Sequence, residues 1–242
     1  MRKHALASNT NFISLLLVLV ALSFPSIASD VFEVDILNAS KRLSKEKIPR
    51  PIVRSDDFGR ELVEDIHFKI FDVVKNICKE ERIEPKNCRW NLRVQRNPDF
   101  NAFATKSNQI VISSGLIDKI TFEDELAFVV SHEVAHHLLN HIRKKRNVIF
   151  TGAILGGLVF SDVTGGLLLS SIINQSNSRE YESSADKIAL RIISLAGYDI
   201  RKAKYVLMRM SKMEPRITSR FLQSHPSGIE RLVLFDRMAQ EI

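Results

Sequence analysis

ELAFVVSHEVAHHLLNHI, residues 125–142, carries four of the chain's seven histidines, and its reading as a helix decides how the rest of the chain is read. Thr121, just upstream, reads as the N-cap, with Glu123 and Asp124 in the first turn, where acids complement the helix dipole. The basic run RKKR, 143–146, sits at the other end and complements the opposite pole. Within such a helix His132 and His136 are one turn apart on one face, so two imidazoles can reach one metal ion. Glu133 lies beside the first of them, placed to take a proton from a water at the open coordination position. At about 100° per residue, His137 points away from His132 and His141 lies on the opposite side of the helix, so both read as surface or core polar residues.

A catalytic zinc needs a third protein ligand as well as a position for water. REYESSAD, 179–186, offers Glu182 and Asp186, again four apart. One carboxylate can bind metal while the other, a turn on, holds a ligand histidine from behind. SHPSGIER, 224–231, adds His225 in a loop and Arg231 at the start of a last helix, whose capping box runs from Ser227 to Glu230. A histidine and an arginine brought to the metal could stabilise an oxyanion.

Around these motifs the expected fold class is α+β. Residues 57–82 place apolar side chains at helical spacing until Pro85 stops them. WNLRVQ, NAFAT and NQIVISS read as a small antiparallel sheet beside the histidine helix. A further helix carries Tyr181, Ala185, Ile188, Ala189, Ile192, Ile193 and Ala196 on one stripe and ends at Gly197. DIRKAKYVLMRMSKM, 199–213, reads as another. No internal repeat occurs, which argues against a solenoid.

Residues 1–28 read as a secretory signal: a basic start, an apolar run too short to span a bilayer comfortably, and small residues at Ser26 and Ala28. A polar arm, 29–55, leads into one domain, 56–242. Export makes a disulfide the expectation for the only two cysteines, Cys78 and Cys88. The apolar, glycine-rich stretch 148–173 reads as a buried hairpin or flap. Together with RKKR it keeps peripheral membrane contact through 143–173 open. The net charge of +7 favours anionic surfaces without proving such a partner, and no nucleic acid is expected.

Taken in order, NAFAT, SSGLI, DELAFVVSHEVAHHLLNH, SREYESSAD, AGYD and SHPSGIER resemble the M-forty-eight peptidase family, gluzincins whose members include a periplasmic BepA-like branch. The resemblance spans roughly residues 57–240 and combines HExxH, ExxxD and a late HP motif. It implies one Zn2+ per chain held by His132, His136 and Glu182, with Glu133 as catalytic base and Asp186 behind a ligand histidine. It implies that His225 acts near the metal, able to take the fourth position and close the site, and that Arg231 matches an arginine of that branch. It places substrate backbone, as an added strand, along Asn101, Ala102, Phe103 and Ala104. The long transmembrane helices of some members are not matched, nor is the C-terminal helical-repeat domain of BepA. The implied activity is a zinc endopeptidase acting on protein or peptide substrates in the periplasm of a Gram-negative bacterium, in quality control of envelope proteins. Two rival readings stand beside it: a non-proteolytic assembly factor with a structural zinc, and an intramembrane protease.

Overall fold

The computed structural model describes residues 27–52, 55–105, 107–144, 147, 163–213, 225 and 229–242. Helices α1 (Ile27–Lys45) and α2 (Asp56–Glu80) lead to strands β1 (Asn91–Gln95), β2 (Ala102–Ala104) and β3 (Gln109–Ser113). Short α3 (Ser114–Ile117), the long α4 (Glu123–Leu138) and α5 (Val163–Leu195) follow, then α6 (Ile200–Ala203), α7 (Tyr205–Met213) and α8 (Ile229–Ala239). Residues 1–26 of the expected signal 1–28, the stretch 148–162 and the cap at Ser227 lie outside the described residues. Among the described residues, no helix is long and apolar enough to cross a membrane.

The histidine helix α4 is buried along nearly its whole length, from Asp124 to Leu138. A helix apolar on all sides belongs at the centre of a fold. Here α5, α2 and β2 pack around it. The face of α2 that closes the core is Leu62, Val63, Ile66, Ile70, Val74 and Ile77, and the Ser55 hydroxyl caps that helix by accepting from the Phe58 amide. A disulfide joins Cys78 at its end to Cys88, just before β1, with the Cα atoms 6.2 Å apart.

Three sequence expectations change. Thr121 does not cap α4: the N-cap is one residue later, Phe122, and the Glu125 carboxylate accepts from the amides of both Thr121 and Phe122. The helix bearing Glu182 begins at Val163, well before Tyr181, so the second half of the apolar stretch is its first turns. No proline interrupts residues 163–195, and the glycine pair at 165–166 alone does not end a helix. The segment 199–213 is two helices, with Asp199 capping the first by accepting from the Arg201 amide.

The sheet is mixed rather than antiparallel, in the order β1-β3-β2. β1 runs parallel to β3, from Asn91 opposite Gln109 to Gln95 opposite Ser113, while β2 pairs antiparallel, Ala102 opposite Ile112. The loop after β1 explains this. It crosses the end of β3 instead of turning back beside β1. Ser113 Oγ accepts from the Asn101 amide at 3.0 Å, and the Gly115 amide donates to Asn97 O at 2.8 Å. β2 is thereby carried to the far edge, and β3 fills the middle. Gly115 permits the crossing, because a Cβ there would stand 2.1 Å from Pro98 O, a backbone atom that cannot swing aside. Gly115→Ala is expected to cost about 1–3 kcal/mol by forced backbone displacement. Urea unfolding measures this, and a wild-type midpoint would contradict the argument.

Candidate active site

Side chains from α4, α5 and the 225 loop meet in the core. One donor atom from each of His132, His136, Glu182 and His225 lies within 4.8 Å of all the others, and all four residues are buried. His132 and His136 present their Nε2 atoms 3.0 Å apart. Glu182 Oε2 is 3.2 Å from His132 Nε2, and Glu182 Oε1 is 3.4 Å from His136 Nε2. His225 Nδ1 is 3.2 Å from His132 Nε2 and 2.9 Å from Glu182 Oε2.

These separations decide what the cluster can hold. Donors bound to a tetrahedral zinc at roughly 2.0–2.1 Å stand about 3.3 Å from one another. Imidazoles and a carboxylate are also the donor types zinc takes. The electrostatics agree. Burial opposes a charge on His132, but Asp186 and Glu182 outweigh it and raise the imidazole to about 9. Burial pushes His136 down to about 3. Burial also works against ionised Glu182, yet the surrounding His225, His132 and His136 keep its carboxyl well below the usual range. The centre of the cluster is a place that draws positive charge.

Glu133 is buried beside this centre, and its Oε1 makes no hydrogen bond among the described residues. His225 Nε2 stands 3.3 Å from it. Behind the cluster, His132 Nδ1 is 2.8 Å from Asp186 Oδ1. Asp186 is gripped in turn by Arg231, which donates from Nε at 2.8 Å and from Nη2 at 2.7 Å. The Arg231 Nη1 lies 3.4 Å from Glu182 Oε2. Its guanidinium thus faces both carboxylates from behind the cluster.

His141 differs in placement from the expectation. It does not face away from the site. Its Nδ1 lies 3.0 Å from His136 Nδ1, and its ring stacks on Tyr181 with centroids 4.4 Å apart. The 100° rule fails because the helix ends first, at Leu138, and Asn140 turns the chain with φ +57°. The signal was Asn140 itself, since asparagine readily takes the left-handed conformation that ends helices. Burial, followed by the nearby Lys144, lowers His141 to about 4. His137 is buried on the other flank, with no partner for Nε2 among the described residues.

Asn101, Ala102, Phe103 and Ala104 lie in and just before β2, an outer strand of the sheet that packs beside α4. Phe103 is partly exposed on it, while Asn101 and Ala102 are buried. A cleft of about 510 Å³ opens between the turn after β2 (Thr105, Ser107, Asn108) and His136, His137, Asn140 and Arg143.

Residues 69–238 match the family model described as Peptidase family M48. The chain is 32% identical over 147 residues to mitochondrial metalloendopeptidase OMA1 of Arabidopsis thaliana, covering 59% of this chain and 30% of that protein. It is 28% identical over 163 residues to metalloprotease LoiP of Escherichia coli strain K12, covering 62% and 64%. To a putative beta-barrel assembly-enhancing protease of Vibrio cholerae it is 26% identical over 155 residues, covering 57% and 32%. Across these three relatives the match spans from about a third to about two thirds of their length. With HExxH on α4, Glu182 on α5 and His225 closing the cluster between them, and with the family model matched over most of its length, the chain belongs to Peptidase family M48, a family of zinc metallopeptidases.

Proposed function

We propose that this protein is a zinc-dependent endopeptidase that cleaves protein or peptide chains. The observation that carries the reading is the cluster of four donors, all within 4.8 Å of one another, with Glu133 buried against it. His132, His136 and Glu182 would hold the ion, and zinc in that position would polarise a scissile carbonyl and make water a nucleophile near neutral pH. Glu133 takes the proton from the attacking water and passes it to the leaving nitrogen. Asp186, held by Arg231, fixes the His132 ring so that Nε2 faces the centre. Substrate backbone would add along β2, extended, with Phe103 and the adjoining cleft receiving side chains.

His225 is the resting-state latch in this reading. Its Nδ1 stands where a fourth ligand would, and its Nε2 faces Glu133, so it covers the open position and the base together. His225→Ala should therefore cleave unfolded casein faster than wild type. A tenfold gain corresponds to a closed state favoured by about 1.4 kcal/mol. A slower variant would show instead that His225 assists the oxyanion.

A complete set of four protein ligands is also how structural zinc sites look, which favours the assembly-factor reading. Glu133 weighs against it, because a purely structural site has no use for a buried carboxylate with an unspent acceptor. The deciding experiment takes zinc-loaded wild type and His225→Ala with casein. Cleavage that stops on chelation and returns with zinc supports the peptidase, while inertness of both forms overturns it. The signal-like residues 1–28 support a location in the periplasm of a Gram-negative bacterium, with misassembled envelope proteins as substrates and peripheral membrane contact through 143–173. Fractionation by osmotic shock tests the location.

A further inference from the structure

The two ligand histidines of the HExxH pair are held from behind by different chemistry. His132 has a carboxylate, Asp186, at its Nδ1. Among the described residues, His136 has no acid there. Its Nδ1 meets His141 Nδ1 at 3.0 Å, and both residues are buried. With Nε2 of His136 turned into the cluster, the remaining proton of a neutral His136 sits on Nδ1 and donates to His141 Nδ1. His141 must then carry its own proton on Nε2, which faces Ser184 Oγ at 3.5 Å. Ser184 Oγ in turn donates to Glu180 O at 2.8 Å. Every proton along this line has an acceptor, and the direction of the line is fixed by which nitrogen His136 offers to the centre.

The line also ties two elements together. His141 follows the turn at Asn140, after α4 has ended, whereas Tyr181 and Ser184, which stack on it and face its Nε2, flank Glu182 on α5. One side chain thus touches a ligand on α4 and, on α5, Tyr181 just before the ligand Glu182 and Ser184 two positions after it.

We propose that His141 is a positioning residue for the metal centre: by accepting from His136 Nδ1 it sets the tautomer and ring orientation that offer His136 Nε2 to the ion. This rests on His136 being a ligand. Partners of this kind behind a metal-bound histidine typically contribute 10–100-fold in metal affinity.

The test measures zinc affinity of the purified chain by competition with a chromophoric chelator. Three variants are compared with wild type. His141→Phe keeps a ring against Tyr181 and removes the acceptor. His141→Asn restores an acceptor, because its Oδ1 occupies the place of Nδ1. His136→Ala reports on the ligand itself. The expected result is a zinc affinity about 10–100-fold weaker for His141→Phe, recovered to within about threefold by His141→Asn, and lost for His136→Ala. Wild-type affinity in His141→Phe would overturn the positioning role, as would an Asn variant no tighter than the Phe variant. Should His141→Phe fail to fold, judged by circular dichroism of the metal-free chain, His141→Leu takes its place, being close in size to Asn and lacking only the acceptor. If His136→Ala bound zinc normally, the ligand assignment itself would fall, which distinguishes the two failures.

Discussion

Glu133→Gln should bind zinc as wild type does and lose casein cleavage by about two to four orders of magnitude, the range a positioned general base contributes. The retention follows from geometry. Glu133 is not one of the four clustered donors, so the amide leaves the ligand set complete. The loss follows because an amide of the same shape has no lone pair basic enough to take the proton from water. Glu133 Oε1 is buried without a hydrogen bond among the described residues, with His225 Nε2 3.3 Å away, and the amide keeps an oxygen or nitrogen at each carboxylate position. The variant should fold normally, and His225→Ala in the same background removes the latch, so that any residual rate is read from an open site. Zinc content by atomic absorption and cleavage by gel are the two measurements. Wild-type cleavage by Glu133→Gln would remove the base from the mechanism, and loss of zinc would mean that Glu133 is a ligand.

The largest stability effect is expected at Glu125, away from the metal. Glu125 is fully buried and accepts from Arg209 Nε at 2.7 Å and Nη2 at 3.2 Å. Its Oε1 also takes the amides of Thr121 and Phe122. Arg209 reaches Thr121 Oγ1 at 2.6 Å, and that hydroxyl donates to Arg50 O at 2.8 Å. One carboxylate therefore joins the start of α4, helix α7 and the segment before α2. Glu125→Ala leaves the Arg209 guanidinium, only 8% exposed, without its counter-charge, and frees two helix amides. Breaking such a buried pair costs about 3–5 kcal/mol, a large part of the roughly 5–15 kcal/mol total of a typical domain. Glu125→Leu combined with Arg209→Met should cost less than the two single changes summed, because neither partner is left alone. Urea unfolding of the four proteins checks the cycle, and single variants within about 1 kcal/mol of wild type would show that water reaches the pair.

Much of this was open to reading in the sequence, for identifiable reasons. His132 with His136, and Glu182 with Asp186, are spaced by four within unbroken helices, so periodicity alone puts each pair on one face. The same rule misled at His141, because it holds only while the helix lasts and α4 stops at Leu138. The strands were recognised, but their directions were not. Direction depends on whether the loop at 96–101 turns back or crosses over, and hydrogen bonds to Ser113 and Gly115 settle that, residues a dozen or more positions away. Arg231 was read as reaching the reaction. Its partner Asp186 is 45 positions distant, and no local pattern says which of two nearby acids an arginine will take.

The site's parts are spread along the chain: His132 and His225 are 93 positions apart, and Arg231 comes later still. During synthesis the histidine helix and Glu182 emerge first, at a time when Asp186 has no arginine to hold it and nothing covers Glu133. The centre in its observed form cannot close until α8 has been made and has docked. A ribosome-stalled or C-terminally clipped product would carry every residue of HExxH and still lack the clamp behind it.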